Sequence, residues 1–150
     1  MTSFDTLCRE IMARSKSTNW DVAKSEWSVV DMEYVDEPET CLCGHFPIVE
    51  VFTLENKYTG ENVRVGNVCV NKFIHKNKAF AGYKRILKSK MASVTVDLLN
   101  FARDRKIITI NDYDFYVSII RKRVLSERQY KWKTDINLRI INYIKKVKRS

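Results

Sequence analysis

"CLCGHFPIVEVFTLENKYTGENVRVGNVCVNKF", residues 41–73, decides how this chain folds. It opens on two cysteines one residue apart, Cys41 and Cys43, and ends just past a third, Cys69. Between them "IVEVFTLEN" alternates as a strand does, "KYTGE" supplies a turn at Gly60, and "NVRVG" returns as a second strand. A hairpin carries the chain back to its start, so the 25 residues between Cys43 and Cys69 amount to little distance in space. A disulfide between Cys41 and Cys43 would close a very small, strained ring. Chelation of a metal by the three thiolates is the stronger reading, with buried free thiols as the alternative.

Zinc takes about four Cys or His donors in a tetrahedron, and thiolates predominate where the metal is structural. Gly44 permits a backbone turn that aims amide groups at the sulfurs. Cys69 is expected at the N-terminus of a helix, "NVCVNKFIHKNKAF", where the dipole favours its thiolate. His45 is the preferred fourth ligand. The alternative, His75, lies six residues beyond Cys69, about one and two-thirds helical turns away and off its face. Cys8 falls in register with Phe4, Leu7 and Ile11 on a first helix, which assigns it to apolar packing rather than to the metal. Glu50, on the hairpin strand that follows the first two cysteines, is the carboxylate considered for a general base, and no deaminase, His-Glu-x-x-His or phosphate-loop signature occurs. The zinc is therefore expected to be structural and the protein not an enzyme. The best enzymatic alternative is a ββα-metal nuclease drawing on Asn67, Asn71, His75 and Asn77.

Working outward, residues 3–16 read as a helix capped by Ser3, and a short second helix starts at Trp20 behind Thr18 or Asn19. "SVVDMEYV" alternates as a strand that "DEPET" ends. After Gly82 the periodicity becomes helical. Ser93, Asn111, Ser126 and Thr134 are expected caps, Phe115, Ile119 and Ile120 are expected to face inward, and Ile136, Ile140, Ile144 and Val147 form a stripe. The expected fold class is α+β: a small zinc-stabilised β-hairpin module flanked by helices, residues 1–81, and a basic helical C-terminal lobe, residues 82–150, the two packing as one compact unit. No apolar run is long enough for a membrane span and the N-terminus carries charges where a signal core would be, so the cytoplasm is the expected compartment.

Charge is segregated along the chain. Residues 1–66 hold 6 Lys/Arg against 12 Asp/Glu; residues 67–150 hold 21 against 6. Such asymmetry points the second half at a polyanion, DNA ahead of RNA, although a merely solvated Lys-rich surface has the same composition. The expected contacts are Lys72 and Lys76 after Cys69, then Arg121, Lys122, Arg123, Arg128, Lys131 and Lys146, with Trp132 available to stack on bases and Tyr83 and Tyr130 among the same cations. No helix presents an Arg/Asn/Gln recognition face, so binding is expected to be largely independent of sequence. The acidic stretch Asp31, Glu33, Asp36, Glu37 and Glu39 beside Tyr34 suggests a second possibility, a protein partner with a basic groove.

The stretch from Cys41 to Phe73 resembles a module of small prokaryotic and bacteriophage proteins: Cys-x-Cys-Gly-His, a hairpin with Thr-Gly at its tip, then Val-Gly-Asn-Val-Cys. That module is similar to a treble clef or zinc knuckle, although Cys-x-Cys departs from the commoner Cys-x-x-Cys. "LSERQYKW", residues 125–132, resembles a helical signature of similar proteins. Together these cover about a third of the chain. The resemblance implies a metal-holding fold, a phage origin with a host cytoplasmic location, and, as an alternative to nucleic-acid binding, an inhibitor or adaptor that engages a host protein.

Overall fold

The computed structural model describes residues 2–73 and 78–145; His75, Lys76, Asn77, Lys146 and Val147 lie outside the described residues. The chain is α+β and divides into two compact units, Met1–Asn77 and Lys78–Ser150. The division expected after residue 81 falls within a helix, Ala79–Lys88.

The first unit is built on a sheet. Helix α1 (Ser3–Ala13) and the short α2 (Trp20–Ser25) precede strands β1 (Trp27–Glu39), β2 (Ile48–Asn56) and β3 (Asn62–Gly66), and a 3₁₀ turn follows at Cys69–Lys72. The strands pair antiparallel in the order β1-β2-β3. Met32 faces Phe52, which faces Val65, and Leu54 faces Val63, so one face of the sheet carries an unbroken apolar row. All five are buried, together with Leu7, Ile11, Ala23 and Trp27 from the preceding elements. On the opposite face Arg64 crosses the sheet. Its guanidinium donates twice to Glu39, at 2.8 Å each, and once to Glu33 at 3.1 Å, so two of the five acidic residues of β1 are neutralised within the unit.

Strand β1 runs past the expected break. Its register shifts between Tyr34 and Glu39, and Pro38 sits within that irregularity on an edge strand. A residue with no N–H is tolerated there because nothing beyond it requires a donor. The buried Glu26 closes the other end of the strand. Its carboxylate accepts the amides of Lys16 and Ser17 at 2.8 and 3.0 Å and the Asn56 side chain at 3.0 Å. Burial pushes this carboxyl up, but the three donors together hold it below its ordinary value.

Among the described residues the second unit forms four helices: α3 (Ala79–Lys88), α4 (Val96–Asp104), α5 (Ile110–Ile119) and α6 (Glu127–Lys145). Ile136, Ile140 and Ile144 form the buried stripe of α6, as their spacing requires. Residue 134 does not begin a helix. Ser126 caps α6 by accepting the Gln129 N–H, and Thr134 lies inside with its hydroxyl donating to the Tyr130 carbonyl at 2.6 Å. On α5 the inward residues are Tyr116 and Ile119, with Asp112 one turn earlier. The Tyr116 hydroxyl accepts the Val94 N–H and donates to Asn137, whose amide donates to the Lys90 and Ala92 carbonyls. Burial pushes the Tyr116 phenol up to about 12.

Asp112 is the electrostatic tie between α5 and α6. It caps its own helix through Thr109, accepts the Trp132 indole N–H at 2.8 Å, and pairs with Arg139 at 2.9 Å. Burial raises this carboxyl, but the Arg139, Thr109 and Trp132 donors outweigh it and hold it well below the usual carboxylate range. Its stabilisation is therefore complete above the unfolded-state value, near ~4, and is lost as pH falls toward the folded one. We expect Asp112→Asn to lower the unfolding free energy by about 2 to 4 kcal/mol at pH 7. Acid titration followed by circular dichroism should show a flatter stability profile below pH ~4 for the variant than for the wild type.

Gly82 marks the contact of α3 with α4. A Cβ there would lie 2.6 Å from the Thr95 nitrogen and 2.7 Å from its hydroxyl, which donates to the Lys78 carbonyl. Alanine is the better helix former by about 1 kcal/mol. Gly82→Ala is nonetheless expected to destabilise by about 1 to 3 kcal/mol, measured by denaturant unfolding, because backbone at the start of α4 must move.

Candidate metal centre

The turn between β1 and β2 is closed by its own backbone. The Cys41 N–H donates to the His45 carbonyl at 2.9 Å and the Gly44 N–H to the Cys41 carbonyl at 2.8 Å. Gly44 holds a φ of +94°, a conformation that side-chain-bearing residues rarely adopt. The Leu42 N–H donates to the Arg64 carbonyl at 3.2 Å, which lays the turn along β3. Cys69 then arrives three residues past the end of β3, at the first position of the 3₁₀ turn. This differs from the expected α-helix: the chain winds for four residues only, and α3 begins at Ala79.

Cys41, Cys43 and Cys69 are all buried, and their sulfurs lie within 4.8 Å of one another. Tetrahedral zinc with bonds of about 2.3 Å sets its sulfurs about 3.8 Å apart, a spacing compatible with sulfurs that all lie within 4.8 Å of one another. The three residues form a cluster able to coordinate a metal ion. The hydrogen bond from Cys69, with the N–H groups of Cys43 and Gly66, pulls the Cys41 thiol down against its burial, while the same contact with Cys41 pushes the Cys69 thiol up. The Gly66 N–H stands 3.4 Å from the Cys41 sulfur. Three buried sulfurs this close together are what a soft cation stabilises, since it takes the place of their protons.

Cys8, on α1, is half-buried and takes no part in the cluster. The side chain of His45, the expected fourth ligand, is exposed, and it does not join the three sulfurs within the same 4.8 Å. The three cysteines line a cavity of about 470 Å³ whose rim includes His45. Its wall holds Glu50, buried, with the Asn67 amide donating to it at 2.7 Å. The Glu50–Asn67 pair was not foreseen as a unit. Its signal was the glutamate itself, which occupies the inward row of "IVEVFTL" with Ile48, Phe52 and Leu54. Asn67, one of the residues a nuclease would draw on, is thus committed to Glu50, and His75 and Asn77 lie outside the described residues.

The expected nucleic-acid contacts fall in two places. Lys72, in the 3₁₀ turn, extends its ammonium to within 5.2 Å of the Phe4 ring centre. Arg121, Lys122 and Arg123 are exposed in the segment after α5, and Arg128 and Lys131 are exposed on α6, none of them ion-paired among the described residues. Trp132 stacks on Phe115, with ring centres 3.9 Å apart and planes 4° from parallel, and remains 40% exposed. Tyr83 is buried and Tyr130 half-buried, so Tyr83 does not serve as a stacking surface. Among the described residues no helix is long and apolar enough to cross a membrane. No protein-family model, curated protein or solved structure matches the chain.

Removing one ligand should separate the cluster from the lone cysteine. Cys69→Ser is expected to lose stoichiometric metal and to unfold the first unit, whereas Cys8→Ser keeps both and shows only a local packing defect. Elemental analysis of protein purified without added metal checks this, and wild-type protein carrying less than roughly half an equivalent would rule the centre out.

Proposed function

We propose that this protein is a non-enzymatic, zinc-containing accessory protein that binds nucleic acid through its basic C-terminal unit, largely without regard to sequence. One observation carries the reading: charge is divided as the chain is. Met1–Asn77 holds 8 Lys/Arg against 12 Asp/Glu and Lys78–Ser150 holds 19 against 6. In the second unit Arg121, Lys122, Arg123, Arg128 and Lys131 are exposed without acidic partners among the described residues, and Arg128 lies one helical turn from the exposed Trp132. Cations of this kind neutralise phosphates and release counterions, which gives affinity without base readout. The outer ring of the Trp132–Phe115 stack adds a surface on which an unpaired base can lie.

Zinc, in this reading, is structural. It fastens the Cys41–Gly44 turn to the 3₁₀ turn at the end of the hairpin, where three strands alone bury little. The resemblance of residues 41–73 to small bacteriophage modules favours a phage-encoded protein acting in the host cytoplasm, with DNA ahead of RNA as the polymer. A host protein as the target is the alternative.

Replacing Arg121, Lys122 and Arg123 together by alanine should weaken binding to unrelated sequences equally. It should also lower the slope of log affinity against log salt by roughly two to three, one phosphate for each side chain. Gel shifts with single- and double-stranded DNA and RNA across a salt series measure both. No binding to any of them at low salt would leave capture of a host protein as the better account.

A further inference from the structure

The three sulfurs can supply three of a tetrahedron's four corners, and the cysteines that carry them line one cavity. Cys41, Cys43 and Cys69 all line that space, and its volume of about 470 Å³ falls within the range of small-molecule sites. Among the described residues no fourth histidine, cysteine or carboxylate reaches all three sulfurs. Three thiolates select a soft metal, and a soft metal prefers a further sulfur to an oxygen donor. The cavity walls suit an organic body: Pro47, Ile48 and Val68 present apolar surface, and Val68 is 72% exposed, so the space opens to solvent. They do not suit an anionic body, because the buried Glu50 carboxylate, held by Asn67, is part of the same wall.

Building on the metal centre, we propose that the fourth coordination position is an exchangeable site for a small thiol whose body is neutral or cationic. In the step, water leaves the metal, the incoming thiol loses its proton to solvent, and a metal–sulfur bond forms; nothing is oxidised or reduced. The Cys41–Cys43–Cys69 frame stays in place, so binding fills the cavity without dismantling the fold. Glu50 is a specificity-determining residue: it repels an anionic body and attracts a cationic one through a medium less polar than water.

The test uses the full chain loaded anaerobically with cobalt(II), whose absorption reports ligand type and geometry. The probes are thiocholine and 2-mercaptoethanesulfonate, two-carbon thiols of opposite charge. Thiocholine should raise the thiolate-to-cobalt charge-transfer band by about one third, the fourth sulfur joining three. It should saturate at lower concentration than the sulfonate, and Glu50→Gln should narrow the ratio of the two affinities by several-fold, a comparison from which the thiols' own acidities cancel. His45→Ala and His75→Ala should each respond as the wild type does. The proposal is overturned if the wild type is unmoved by either thiol, if it responds only after His45 or His75 is removed, since that histidine then closes the site, or if Glu50→Gln leaves the ratio unchanged. Failure of cobalt to bind at all would overturn the metal centre itself, an outcome visible before any thiol is added.

Discussion

Three sulfurs held within 4.8 Å of one another in a buried space are the constraint on which the first unit turns. Like charges at that separation cannot all persist in a medium of low polarity, so the trio must either keep protons or take a cation. The backbone has already chosen where charge should sit. The Gly66 N–H reaches the Cys41 sulfur, the Gly44 turn folds back on the Cys41 carbonyl, and Leu42 hydrogen-bonds to Arg64. These bonds draw on groups that β3, an edge strand, would otherwise present to solvent. The cysteine turn thus covers the sheet edge and at the same time holds two of the three clustered sulfurs.

Among the described residues the second unit has no such cluster, and it is held differently. Its interior contains Asp112, Tyr116 and Asn137, polar groups that hydrogen-bond one another's helices and the loop at Lys90–Ala92. A satisfied buried network of this kind fixes the register of α5 against α6, since sliding either helix by one residue would leave several donors unpaired. The Trp132 ring belongs to it as well as to the surface. Its N–H is spent on Asp112 and one face on Phe115, which leaves the ring rigid. A rigid aromatic loses little entropy when a second ring lies on it.

Much of this was legible in the sequence, because the decisive patterns are local. Alternation around Gly60 gave the hairpin, and the hairpin brought Cys43 and Cys69 together. The misplaced features depend on contacts distant in sequence or on a choice between adjacent residues. Thr2 and Thr109 cap their helices in place of Ser3 and Asn111, and in each case an aspartate three residues on, Asp5 or Asp112, closes a capping box. Thr95 caps α4 in place of Ser93 while its hydroxyl also donates to Lys78, seventeen residues away, which no local pattern encodes. The 3₁₀ turn at Cys69 read as an α-helix because its residues suit either form. What distinguishes them is the need to bury both Cys69 and Val70 directly after β3.

Charge shows the same limit from the other side. Counting cations makes the second unit strongly basic, but a count treats every cation as surface. Lys133 is buried at the head of the apolar stripe of α6, and its burial lowers its pKa. Arg139 is held between Asp112 and Asp135, and Arg103 is paired with Asp104 while lying over the Tyr113 ring. These side chains serve the fold, and a polyanion would have to displace a carboxylate to use them. Among the described residues the exposed cations without an acidic partner are not confined to one place: Arg121 to Arg123, Arg128 and Lys131 lie across the end of α5 and the first turns of α6, while Arg85 and Lys88 lie on α3 and Arg105 and Lys106 follow α4. Spread in this way, the charge of the unit makes a broad field rather than a single focus.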